Sequence, residues 1–387
     1  MISLRHKGCS LPELHGRYQG NVIKQILRVF TLILLIITVV SFVTAPAQLL
    51  TKNFTPGMSI YIWIAIIFGY YIMATMLPIN TIIGKIYPIF GVLIIAMALA
   101  IVMAFIIYQP HIPEVWDGSL VNTAYTSQGN PIFPLLFISI SCGALSGFHA
   151  TQSPLMARCL PNEKYGRPIF FGAMIVEGII ALIWAAAAAY FFGPESPVQT
   201  AGASGPDMVG IIANYWFPSA IAVITIFGVI SAAVTTGDTA LRSARLIAAD
   251  IFHLHQKSLR NRLLITIPLI TICTTILVIN LAQANAFEII WRHLGWLNQI
   301  LAVVTLWSIT DYLAMRHKHT RKYTYIITLI PALFITMVCA TYPFIFFGNF
   351  SETAPMLPYI AAGIITLAIY CIFIRIVHTH RNKNLSK

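Results

Sequence analysis

The sequence predicts an all-α integral membrane protein with about ten transmembrane helices. Of its 387 residues, 58% are hydrophobic and only 9% are charged, whereas a soluble domain is about 45–50% apolar and about 25% charged. The mean hydropathy is +0.80. This composition excludes a soluble globular enzyme, a disordered protein and a collagen-like fibre, because a water-exposed surface needs far more polar side chains.

Ten apolar segments are long enough to cross a bilayer, which requires about 20 mostly apolar residues. They are 26–49, 58–77, 86–108, 132–153, 168–192, 215–236, 263–283, 294–315, 324–347 and 357–377. Continuous runs of this length exclude a transmembrane β-barrel, whose strands alternate over about ten residues. We expect a cytoplasmic N-terminal segment at 1–25, a transmembrane domain at 26–377 and a cytoplasmic tail at 378–387.

The basic residues place both termini in the cytoplasm. With that orientation, all of the 24 lysines and arginines except Lys52 and Arg292 lie on the cytoplasmic side, as the positive-inside rule requires. The outer loops 109–131 and 193–214 contain acidic residues but no lysine or arginine. Membrane topology therefore explains the net charge of +12, and nucleic acid is not an expected partner.

The fourth span is the most unusual, because small and polar residues crowd its second half. Its interruptions are Gly143, Gly147 and Pro154. Broken helices at membrane depth occur where protein or a water-filled cavity satisfies the freed backbone, and secondary transporters bind substrates at such breaks. We therefore predict a break in this helix and a substrate-binding group of Gly147, His149, Gln152 and Ser153. The alternative is tight packing, with hydroxyls bonded to their own helix.

Two carboxylates are the candidates for ion coupling. Glu177 lies in the middle of the fifth span, and Asp238 lies at the cytoplasmic end of the sixth. Apolar surroundings favour the protonated form of a carboxylate, which makes such a group suited to exchange a proton. For Glu177 the alternatives are a permanent hydrogen bond to a neighbouring helix or a carboxyl group that simply stays protonated.

The residues around Asp238 extend this second candidate. Asp238 precedes Arg242 by four residues, so a helix would set them on one face as a pair. Thr239 adds a hydroxyl, and Gly237 permits a break in the helix. We interpret Arg242 and Arg245 as ordinary cytoplasmic anchors of the span.

The eighth span begins with a further cluster of polar residues. Two tryptophans at its start are typical of an interfacial aromatic belt. Asn298 and Gln299 then enter the span, where their amides can bond other helices or a substrate. Arg292 is a rare outer basic residue and is suited to contact an anion or to pair with Glu288. We add Arg292, Asn298 and Gln299 to the substrate-binding group.

At these clusters the chain resembles the carbon-starvation protein A (CstA) family. The resemblance is carried by SGFHATQSPLMARCLPNEKYGRPIFFGAMIVEGIIALIWAAAA (146–188), TTGDTALRSAR (235–245) and IIWRHLGWLNQILA (289–302). It implies an inner-membrane carrier related to the LeuT-like amino acid/polyamine/cation superfamily. It also implies proton-coupled uptake of peptides or small carboxylates such as pyruvate during nutrient limitation, without a cofactor.

One departure from the family affects this expectation. Family members have an N-terminal region with further membrane segments, and residues 1–20 resemble the basic loop that follows it. The chain is therefore expected to lack that region, which leaves a nutrient sensor or a non-transporting fragment as alternatives to a carrier. A membrane-embedded enzyme is a further rival, but the sequence contains no phosphate-binding loop, HExxH or dinucleotide motif. We expect no enzymatic activity and no metal site.

Reporter fusions test the topology. A reporter at the C-terminus and a reporter in the loop 193–214 should report opposite compartments, because the basic residues divide so unequally between the two sides. Both reporters in one compartment would contradict the ten-span topology.

Overall fold

The structure, a computed structural model, describes residues 3, 9–77, 85–112, 131–192, 196–198, 203–256, 258–283, 286–315, 323–347 and 355–385. These residues form helices and connecting turns, with no strand among them. The α-helices are α1 Leu11–Gln19, α2 Asn21–Asn53, α3 Ile60–Met76, α4 Tyr87–Tyr108, α5 Ile132–Ser139, α6 Ser141–Ala144, α7 Phe148–Cys159, α8 Ala173–Phe192, α9 Gly205–Trp216, α10 Ser219–Ile251, α11 Leu259–Leu281, α12 Ala286–Met315, α13 Ile326–Phe346 and α14 Leu357–Leu385.

The helices confirm an all-α, multi-pass membrane protein. Seven of the described helices are long and apolar enough to cross a bilayer, and α3 is a shorter apolar helix. The other predicted spans correspond to α12 and to the three short helices α5, α6 and α7. The predicted cytoplasmic loop 316–322 and most of the outer loop 109–131 lie outside the described residues.

The predicted break in the fourth span is confirmed. The chain leaves its helical path after α6, where Leu145 is extended with φ −154° and ψ 103°, and it becomes helical again at Phe148. Pro154, however, lies inside α7, so its assignment as an interruption was wrong. A membrane helix tolerates an internal proline where neighbouring groups satisfy the freed backbone.

The described chain divides into two compact units. The larger unit comprises 24–120 and 156–291, and the smaller unit comprises 1–23, 121–155 and 292–387. In the larger unit, α4, α8 and α9 pack around the buried rings of Phe191 and Trp216, whose centroids lie 4.9 Å apart.

The smaller unit has its core between α12, α13 and α14. Trp307 packs against Phe373 and donates its indole N–H to Thr336 Oγ1 at 3.0 Å. This bond satisfies the polar edge of a ring that is otherwise buried among apolar side chains. In the same unit, His15 on α1 hydrogen-bonds Ser308 on α12, which fixes the N-terminal helix to this core.

Helix α10 runs without interruption from Ser219 to Ile251, so the break that Gly237 would permit does not occur. Gly237 instead allows a close approach, because a Cβ at this position would overlap the hydroxyl of Tyr71 on α3. Tyr71 is fully buried and has little room to withdraw. The glycine therefore sets the distance between α10 and α3.

Replacing Gly237 with Ala should lower the free energy of unfolding by about 1–3 kcal/mol, the usual cost of overpacking a filled core. Gly91→Ala is the matched control, because Gly91 also lies within a helix but has open space around it. Thermal unfolding of the purified protein measures both, and Tyr71→Phe should restore part of the loss. Equal stability of the two glycine variants would contradict the close-approach argument.

Candidate functional site

Two neighbouring residues of α12 satisfy backbone groups on both sides of the break in the fourth span. Asn298 Oδ1 accepts the N–H of Phe148, the first residue of α7, at 2.6 Å. Gln299 Nε2 donates to the carbonyl of Phe137, in the last turn of α5, at 3.0 Å. Helix termini leave such groups without intrahelical partners, so α12 supplies partners to the N-terminal end of α7 and to the C-terminal end of α5.

Close packing holds the break against α12. Gly147 is buried, and a Cβ at this position would overlap the backbone of Asn298 and Ala302. Ser146 Oγ lies 3.3 Å from the amide of Asn298. Glycine is therefore required at 147 because two backbones meet there.

The amides of Asn298 and Gln299 are buried and bind backbone groups of the fourth span. Each residue is only 1% exposed. Gln299 Oε1 is buried and accepts no hydrogen bond from the part of the chain that the structure describes. These two residues position the broken helix, whereas the sequence alone left open whether they bind other helices or a substrate.

The remaining candidates on α7 are half-buried and lie on consecutive turns. Ser153 donates its hydroxyl to the carbonyl of His149 at 2.7 Å, which is the bond within the helix that the packing alternative expects. Gln152 Nε2 donates to Thr151 Oγ1 at 3.1 Å. His149, Gln152 and Ser153 thus form one polar group directly after the break.

Arg292 and Glu177 are the two other predicted residues whose surroundings the structure describes. The guanidinium carbon of Arg292 lies 5.3 Å from the ring centroid of Phe346, a cation–π distance. Glu177 is half-buried on α8, between the exposed apolar side chains of Val176 and Ile179.

The second site is centred on Asp238, which is completely buried in the larger unit. Its Oδ2 accepts the hydroxyl of Tyr87 at 3.0 Å, and its Oδ1 lies 3.8 Å from Arg242 Nη2. The predicted pair on one helical face is therefore confirmed. Oδ1 accepts no hydrogen bond among the described residues, so the carboxylate has unused capacity. The sequence did not indicate Tyr87, which begins α4.

Three arginines satisfy the C-terminal end of α3. The donors come from α10 and α11: Arg242 binds the carbonyls of Ala74 at 2.6 Å and Leu77 at 3.2 Å, Arg245 binds Thr75 at 2.8 Å, and Arg262 binds Met76 at 2.9 Å. Four consecutive carbonyls that lack intrahelical partners are thereby bound. Cations are also favoured at this negative end of a helix dipole.

The interpretation of Arg242 and Arg245 as ordinary anchors was wrong. They are only 4% and 5% exposed, because packing of α10 against α3 turns them inward. Thr239 also has a local partner, since its hydroxyl donates to the carbonyls of Thr235 and Thr236, each at 3.0 Å. Among the described residues, no three His, Cys, Asp or Glu side chains come together as a metal site.

Comparison with known proteins identifies the family. The model of the carbon starvation protein CstA family matches residues 50–219. An uncharacterized membrane protein of Haemophilus influenzae is 37% identical over 256 residues, which cover 54% of this chain and 69% of that protein. The chain belongs to the CstA family. The matched range includes the block 146–188, whereas the blocks 235–245 and 289–302 lie beyond it.

Family members with named activities align over shorter stretches. The peptide transporter CstA of Helicobacter pylori is 28% identical over 176 residues, which cover 43% of this chain and 25% of that protein. The pyruvate/proton symporter BtsT of Escherichia coli is 27% identical over 146 residues, which cover 36% and 20% respectively. The alignments thus span a quarter or less of these two transporters.

The fold is similar to that of a solved transporter. A manganese transporter of Eremococcus coleocola superposes with a TM-score of 0.56 at 14% identity, over 98% of this chain and 85% of that chain. At this identity the similarity concerns the fold alone. A CstA-family chain therefore shares its helical arrangement with a membrane transporter.

Replacing Asn298 with Ala should lower the free energy of unfolding by about 1–3 kcal/mol, because the N–H of Phe148 loses the acceptor that the buried Asn298 side chain supplies. Asn298→Asp keeps the acceptor and should retain most of the stability. Thr305→Ala is the control on the same helix, because that hydroxyl bonds the carbonyl of Leu301 four residues earlier. Thermal unfolding measures the stability of all three variants. Equal stability of Asn298→Ala and the control would contradict the capping role.

Proposed function

We propose that this chain is an inner-membrane secondary transporter for peptides or small carboxylates such as pyruvate, used in the response to carbon starvation. The observation that carries the proposal is a broken membrane helix, completed by side chains of a neighbouring helix, in a member of the CstA family. Relatives in the family are named as a peptide transporter and a pyruvate/proton symporter. Transport, not catalysis, is the activity that these relatives support.

The proposed architecture has ten membrane crossings in a LeuT-like arrangement. Seven long apolar helices, the shorter α3, the broken span α5–α7 and α12 together supply ten crossings. The similarity to a transporter fold supports this arrangement. The distribution of basic residues supports cytoplasmic positions for both termini.

The proposed substrate contacts lie at the break in the smaller unit. The non-helical backbone from Leu145 to Gly147 adjoins the half-buried group of His149, Gln152 and Ser153. Asn298 and Gln299 hold this backbone in place, and Arg292 is a further candidate for an anionic substrate. Discontinuous helices with this combination of polar side chains and freed backbone are the usual binding sites of secondary transporters.

The proposed proton-coupling residue is Asp238, with Glu177 as the second candidate. Protonation of Asp238 would remove its charge interaction with Arg242, whose guanidinium also binds the end of α3. A proton at this carboxylate would thereby alter the contacts between α10, α3 and α4. Such a change in local charge is a common way to bias a conformational equilibrium.

Uptake by the purified chain in proteoliposomes tests this proposal. Radiolabelled Ala-Ala or pyruvate should accumulate when a proton gradient is directed inward. Without the gradient, the solute concentrations inside and outside should only become equal. Asp238→Asn should abolish accumulation but allow equilibration, because its amide has a similar shape and does not exchange a proton. Asp250→Asn is the control, since Asp250 is an exposed carboxylate on the same helix.

The possible results separate the parts of the proposal. Loss of accumulation in Glu177→Gln but not in Asp238→Asn would transfer the coupling role to Glu177. Unchanged accumulation in both variants would exclude both residues as coupling sites. If neither solute enters the liposomes, the chain is not a transporter of these substrates on its own.

A further inference from the structure

A polar cavity in the larger unit lies among residues that the proposed transport mechanism does not use. It encloses about 220 Å³, and its lining includes Gln48, Lys52, Asp207, Gln283, Phe287 and Glu288. The four polar residues that α2 contributes, at positions 41, 44, 48 and 52, recur at helical spacing, so they form one stripe on that helix. An apolar membrane helix that directs such a stripe into a cavity is suited to bind a polar ligand.

Charges of both signs meet in this cavity. Lys52 Nζ lies 2.6 Å from Asp207 Oδ1, with side-chain exposures of 59% and 15%, and Glu288 adds an exposed carboxylate. Asp207 also accepts the backbone N–H of Ser204 at 3.1 Å. Burial raises the pKa of Asp207, but the hydrogen bonds from Lys52 and Ser204 and the charge of Lys52 outweigh it. The net pKa is below the ordinary value, so the carboxylate is ionised at neutral pH.

A further acceptor in the lining is unused. Gln48 Oε1 is buried and accepts no hydrogen bond from the described residues. Gln48 lies one helical turn before Lys52, so the amide and the ammonium group occupy the same face of α2. The cavity therefore combines one cation, two carboxylates and a neutral acceptor.

We propose that this cavity binds a small zwitterion, a free amino acid or a short peptide with both termini free. The ligand ammonium would contact Asp207, Glu288 and the Gln48 amide oxygen, and the ligand carboxylate would contact Lys52. The cavity volume of about 220 Å³ is below the roughly 300–1,000 Å³ of pockets for drug-sized ligands. The ligand can therefore contain only very few amino-acid residues.

The existing ion pair is compatible with such a ligand. Exposed ion pairs contribute little to stability, so a zwitterion can separate Lys52 from Asp207 and supply a partner of opposite charge to each. The inference rests on the proposed function and deepens it, because it favours peptides over pyruvate, which has no ammonium group. With the proposed topology, Lys52 lies on the outer side, and the cavity is where an incoming solute first binds.

Calorimetric binding to the purified full chain in nanodiscs tests the inference. Ala-Ala should bind, and N-acetyl-Ala-Ala, Ala-Ala amide and pyruvate should bind at least about tenfold more weakly, because each lacks one charge-assisted contact. Lys52→Gln and Glu288→Gln should weaken Ala-Ala binding by a similar factor. Lys52→Arg retains the cation and should bind within about threefold of the unmodified chain.

Glu163→Gln is the matched control, since it removes an exposed carboxylate that does not line the cavity; its binding should be unchanged. The inference is overturned if Ala-Ala does not bind, if the acetylated peptide binds equally well, or if Lys52→Gln and Glu288→Gln bind like the control. Size-exclusion profiles verify that each variant is folded. The Lys52 side chain is largely exposed, so Lys52→Gln should fold and still tests binding if Glu288→Gln does not fold.

Uptake measurements keep this result distinct from the proposed function. Ala-Ala binding that depends on Lys52, without uptake into proteoliposomes, supports the cavity site and overturns the transport proposal. Uptake of Ala-Ala together with unaltered binding in the cavity variants supports transport and overturns the cavity site.

Discussion

The need to pair backbone groups at helix ends is the constraint on which the rest of the structure depends. The bilayer interior offers no water for these groups, so a helix that ends or breaks there needs partners from its neighbours. The chain meets this need with the amides of Asn298 and Gln299 at the broken fourth span. It uses guanidinium groups of α10 and α11 at the end of α3. Both solutions place polar side chains in positions that burial would otherwise make costly.

The two solutions differ in how much charge they bury. The amides at the break are neutral, whereas the three arginines bring positive charge to a site where Asp238 is a neighbouring carboxylate. The negative end of the α3 dipole and its four carbonyls stabilise part of that charge. A buried ion without a partner is strongly destabilising. The arginine group therefore depends on both α3 and Asp238, and a change at either one affects the other.

Local spacing explains what the sequence could predict. The apolar spans, the break near Gly147 and the pair of Asp238 with Arg242 each follow from residues close together in the chain. The capping arginines could not be predicted, because their partners are backbone carbonyls at residues 74–77, which no side chain marks. The role of Gly237 could not be predicted for a related reason. A glycine at a close helix contact and a glycine at a break look the same in sequence, and only the position of Tyr71 distinguishes them.

Polar residues in these helices therefore belong to two groups that sequence does not separate. Asn298 and Gln299 are almost fully buried and bind backbone, so they fix geometry. His149, Gln152 and Ser153 are half-buried beside the non-helical residues of the break, and the transport proposal assigns substrate contact to them. Recognition at this break would then depend as much on backbone groups as on side chains. Backbone groups bind the polar atoms that peptides share, whatever their side chains, which makes a broken helix suited to a substrate class rather than to a single molecule.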